Sequence, residues 1–128
     1  MHFNFLFKHQ SVTPFLTFKF NIELIYLTMF IAMNRFNIVL GKEKEFEDVW
    51  KNRDTHLKSV PGFKEFHLVK GDSNDEHTLY ASHSIWNSKN DFINWTKSEA
   101  FRLAHKNSGQ HKSLYIGHPN FEGFEVVL

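Results

Sequence analysis

The chain has 128 residues, a formal net charge of +1, no cysteine, and an aromatic content of 16% in which fifteen phenylalanines dominate. That length supports one domain with a real core. A near balance of charge without a basic stripe argues against a nucleic-acid partner. The lack of cysteine removes disulfides, thiol catalysis and iron–sulfur ligation, and fits a reducing cytoplasm.

In chain order, residues 1–28 form an extension rich in Phe, Asn, Lys, Ile and Leu. Pro14, Lys19 and Glu23 interrupt its apolar runs, so it reads neither as a signal peptide nor as a membrane span. We expect it to be disordered or a mis-assigned start, with the domain occupying 29–128. Met29 to Leu40 has strand composition, and Phe30, Ala32, Phe36, Ile38 and Leu40 share one face by the two-residue period. Asn34 interrupts that face. A buried amide needs partners, so Asn34 either braces backbone or faces a cavity whose ligand serves it. The opposite face, with Ile31, Met33, Arg35, Asn37 and Val39, is mixed but apolar enough to need cover by a second subunit.

Lys42 to Val60 repeats apolar residues at helical spacing through Phe46, Val49, Trp50 and Leu57, which predicts one amphipathic helix stopped by Pro61-Gly62. Phe63 to Lys70 and His77 to Trp86 read as an antiparallel pair of strands joined by the polar turn 72–76. Ser88 precedes Asp91 by three residues, an N-cap signature opening a helix that carries Phe92 and Trp95. Ser98 can cap a second helical segment carrying Phe101, Ala104 and His105. On one straight helix residues 95 and 105 would diverge, whereas a break at 96–98 lets them converge on a pocket. Residues 108–120 lack periodicity and read as a pocket-rimming loop, and 121–128 as a closing strand. Strand-helix-strand-strand-helix-strand is the α+β, ferredoxin-like split βαβ order.

Taken singly, Trp95 is a core residue by its spacing and His105 a satisfied half-buried histidine. His56, His67 and His83 show no ligand spacing, and Asp54 with His56 makes a weak acid/base pair. No G-x-S-x-G, P-loop, G-x-G-x-x-G or H-E-x-x-H motif occurs, so the common hydrolase, phosphate-loop, dinucleotide and zincin chemistries lack support.

Three stretches carry a resemblance: M-N-R-F at 33–36, W-x-S-K-x-D-F-x-x-W-x-K-S at 86–98, and F-R-L-A-H-K at 101–106. With them the chain from Met29 onward resembles the antibiotic-biosynthesis monooxygenase superfamily, and within it the Isd-type haem-degrading enzymes. The resemblance implies a domain forming a dimeric α/β barrel, hence a homodimer. It implies that haem is both cofactor and substrate, that O2 is the oxidant, and that a reductase or small reductant supplies electrons. His105 would be the proximal iron ligand, Asn34 the amide donor on the opposite side, and Trp95 the bulk that ruffles the porphyrin. The loop 106–120, with His111 and His118, departs from those enzymes. Two rivals share the fold: a cofactor-independent monooxygenase of a small aromatic or quinol, and a haem-binding protein without turnover.

Overall fold

The computed structural model describes residues 28–128. The extension read from the sequence therefore lies outside the described residues, except for Thr28. Four strands, β1 (Phe30–Val39), β2 (Phe63–Ser73), β3 (His77–Trp86) and β4 (Asn120–Glu125), alternate with three α-helices, α1 (Glu43–Lys51), α2 (Lys89–Thr96) and α3 (Glu99–His105). A 3-10 segment, Ser108–Leu114, precedes β4.

The sheet is antiparallel with strand order β2-β3-β1-β4. β1 lies centrally, pairing Phe30 with Trp86 and Phe36 with Tyr80 on one side, and Asn34 with Phe121 on the other. The period of two then sorts its residues by face. Phe36 and Ile38 pack with Phe46 of α1, Tyr80 and Leu114, while Phe30 and Ala32 pack with Leu57 and Trp86, against which Phe92 and Trp95 of α2 lie. The helices thus cover the face that carries Asn34. On the other face Val69 and Phe124 are exposed, and Ile31, Met33, Leu79 and Ile85 are half-buried.

Two expectations are corrected. The ferredoxin-like domain forming a dimeric α/β barrel is not what the sheet shows: it is an open four-stranded sheet with β2 and β4 as separate edges among the described residues. A barrel requires its first and last strands to pair, and here β2 and β4 lie at opposite edges with β3 and β1 between them. The single helix expected over 42–60 is also shorter. α1 stops at Lys51, the Asp54 carboxylate accepts the backbone N–H of His56 at 2.9 Å, and His56 sits in the left-handed region at φ 55°. A local Asx turn competes with helix propagation there. Leu57 and Val60 still reach the core, but from a loop.

The helical pair after β3 forms as its caps dictate. Ser88 accepts from Asp91 N–H at 3.1 Å and Ser98 from Phe101 N–H at 3.2 Å, each meeting one of the orphan donors of a helix start. Gly62, at φ 82°, lies so close to α2 that a Cβ there would overlap the Asp91 side chain.

Candidate active site

The helices and the sheet enclose a cavity of about 830 Å³. Asn34, Trp95 and His105 all line it, and the break at 97–98 lets Trp95 and His105, which a straight helix would separate, approach to 6.1 Å between ring centroids. Asn34 projects from the middle of β1, opposite Ser82. Its side-chain amide makes no hydrogen bond within the described residues, so it does not brace backbone and its donors remain free toward the cavity.

Trp95 is held by aromatic contacts. Its ring lies 5.2 Å from that of Trp86 and 4.8 Å, edge-on, from that of Phe101. The indole Nε1 is buried without a hydrogen-bond partner among the described residues.

His105 closes α3. Its ring stacks on Phe101 at 4.0 Å between centroids, and Nδ1 lies 2.8 Å from the Phe101 carbonyl oxygen. A carbonyl can only accept, so Nδ1 carries the hydrogen and Nε2 keeps its lone pair. Burial pushes the imidazole pKa below its ordinary value; the Phe101 hydrogen bond opposes that shift and the Arg53 charge adds to it. The side chain is therefore a neutral imidazole whose ring is oriented through Nδ1 and whose Nε2 lone pair is left free.

Further residues line the cavity beside the three. Arg53 donates from Nε (3.1 Å) and Nη2 (2.8 Å) to the Ala104 carbonyl and lies 4.8 Å over the Trp50 ring. It thereby caps one of the orphan carbonyls at the end of α3, next to His105. Tyr115 and Lys112 enter from the 3-10 segment and its exit, and His118 from the approach to β4. The contact of Arg53 with Ala104 spans 51 positions of sequence.

No group of three or more His, Asp or Glu side chains able to hold a metal ion occurs among the described residues. One neutral histidine does not retain a free divalent ion, which takes about four protein ligands in structural sites. It can serve a metal that brings its own equatorial ligands, as a metalloporphyrin does.

Residues 29–107 match the Antibiotic biosynthesis monooxygenase model, and the chain belongs to that family. It is 29% identical over 82 residues to a heme oxygenase (staphylobilin-producing) of Staphylococcus epidermidis, covering 64% of this chain and 78% of that one. Among solved structures it resembles the heme-degrader MhuD of Mycobacterium tuberculosis, with 24% identity, a TM-score of 0.61 and coverage of 77% and 96%. It also resembles SnoaB, a cofactor-independent oxygenase of Streptomyces nogalater, with 19% identity, a TM-score of 0.57 and coverage of 79% and 95%. At these identities the two structures speak for the fold alone. The matched span carries Asn34, Trp95 and His105, but ends before the 3-10 segment and His118.

Proposed function

We propose that this protein is a haem-degrading monooxygenase that opens the porphyrin ring of a bound haem with O2 and external electrons, releasing iron. The observation that carries the reading is His105: a neutral imidazole with a free Nε2 on a large aromatic-walled cavity. The family match and the S. epidermidis relative support it. The cavity also suits a flat apolar ring, because it falls within the 300–1,000 Å³ usual for small-molecule sites and presents Trp95, Phe92, Phe66 and Phe101 as walls.

When bound, haem supplies an iron centre at which oxygen is activated beside the ring's own carbons. The chain's residues do the rest. His105 Nε2 would hold the iron, with its ring fixed by the Phe101 carbonyl and its helix end fixed by Arg53. Asn34, free of protein partners, would donate to the oxygen side and orient the oxidant toward the ring. Trp95 would press on the macrocycle through a ring that Trp86 and Phe101 keep from yielding. Apolar walls exclude water, which strengthens each of these contacts. A reductase or small reductant supplies the electrons. The same proposal includes a homodimer in which a second copy covers the open sheet face around Val69 and Phe124.

The free amide of Asn34 would also suit an oxygen of a quinol, the substrate class of the rival cofactor-independent oxygenase. Titration with hemin, followed by ascorbate in air, decides between the readings. The expected result is a Soret shift that saturates and then decays. Absence of a shift favours the quinol reading, and a shift that persists under reductant favours a haem-binding protein without turnover.

A further inference from the structure

The cavity has a charge asymmetry that the ring-binding residues do not explain. Its lining includes two full cations, Arg53 and Lys112, and no aspartate or glutamate. Arg53 is half-buried, and its partners are a neutral carbonyl and an indole face rather than a carboxylate. Lys112 makes no ion pair among the described residues. It stands on the 3-10 segment, near Gly109, beside a mouth that His118 and Gly117 also line. Lys112 is exposed at the edge of the cavity, and a site with cations and no counter-charge attracts an anion.

We infer that Lys112 and the mouth around it form a carboxylate subsite, which selects a planar ligand carrying acidic substituents at one edge. This rests on the haem reading, whose ligand has two propionates, and it assigns their recognition to a segment beyond the family match. Arg53, with two nitrogens held by Ala104, stays chiefly a positioning residue for α3. Lys112 is the movable charge that meets the acid.

The test uses the full chain with four ligands: hemin, hemin dimethyl ester, and iron-free protoporphyrin IX with its dimethyl ester, the last two followed by quenching of tryptophan fluorescence. Iron-free ligands remove His105 ligation from the measurement. Wild type should bind each acid more tightly than its ester. Lys112→Glu should weaken the acids by about tenfold and leave the esters nearly unchanged, as expected for loss of a partly screened charge pair followed by repulsion. Lys64→Glu, which makes the same net charge change away from the cavity, should alter neither. Equal affinity of acid and ester for wild type, or an equal effect of Lys64→Glu and Lys112→Glu, overturns the subsite while leaving haem binding intact. Failure of wild type to bind any of the four overturns the haem reading, and this inference with it.

Discussion

At the scale of single residues, His105 and Asn34 should fail in different ways. His105→Ala removes the proposed iron ligand, so hemin affinity should fall strongly and the Soret band should resemble that of non-specifically bound hemin. Asn34→Ala removes a donor that no protein group uses. Haem should still bind, while degradation slows by roughly ten- to a hundredfold, matching a hydrogen bond on the order of 1 to 3 kcal/mol. Absorbance titration and turnover on both variants check this, and wild-type behaviour in His105→Ala would refute the proximal assignment.

His105 also sets a pH dependence whose sign follows from its burial. The folded pKa lies below the ordinary 6.5, so the unfolded chain binds the proton more readily. Stability from this group is therefore complete above about 6.5 and is lost as pH falls from there through the depressed folded value. Urea midpoints between pH 7.5 and 5.5 should fall more for wild type than for His105→Gln.

At the scale of elements, the α2–α3 corner decides where the site residues sit. Ser98→Ala should cost about 1 kcal/mol of stability through the lost N-cap, and should loosen haem binding because α3 carries His105. Thermal melting and hemin titration of the same variant read both effects. Gly62→Ala should be worse for stability, by about 1–3 kcal/mol, since it combines a left-handed φ with overlap onto Asp91 of α2. An unchanged melting temperature would show that α2 can shift away at no cost.

At the scale of the whole molecule, the open sheet face and the unassigned terminus carry the predictions. Val69 and Phe124 should become covered if two copies associate through that face. Sedimentation of wild type should give a dimer at micromolar concentration, and Val69→Lys with Phe124→Lys should give a monomer. A wild-type monomer would remove the homodimer from the proposal. Deleting residues 1–28 should leave folding and hemin binding intact, and insolubility of the truncated protein would show that the extension is structural.

Local periodicity and cap chemistry made much of this chain legible in advance. The alternation of β1 put Asn34 on the face with Phe30 and Phe36, and the serines at 88 and 98 announced two helices with a corner between them. Such signals need only neighbours within about four residues, which is why the convergence of Trp95 and His105 could be argued from sequence. The end of α1 was not legible: an apolar spacing that continues through Leu57 and Val60 looks helical whether a helix or a loop delivers those side chains. Nor was the hold of Arg53 on Ala104, the free amide of Asn34, or the uncompensated cations at the cavity mouth. Each depends on segments far apart in sequence meeting in space, and hydrogen-bond satisfaction and counter-charge exist only once the chain has packed. The open edges of the sheet belong to the same class, because strand pairing is a long-range choice that no single strand encodes.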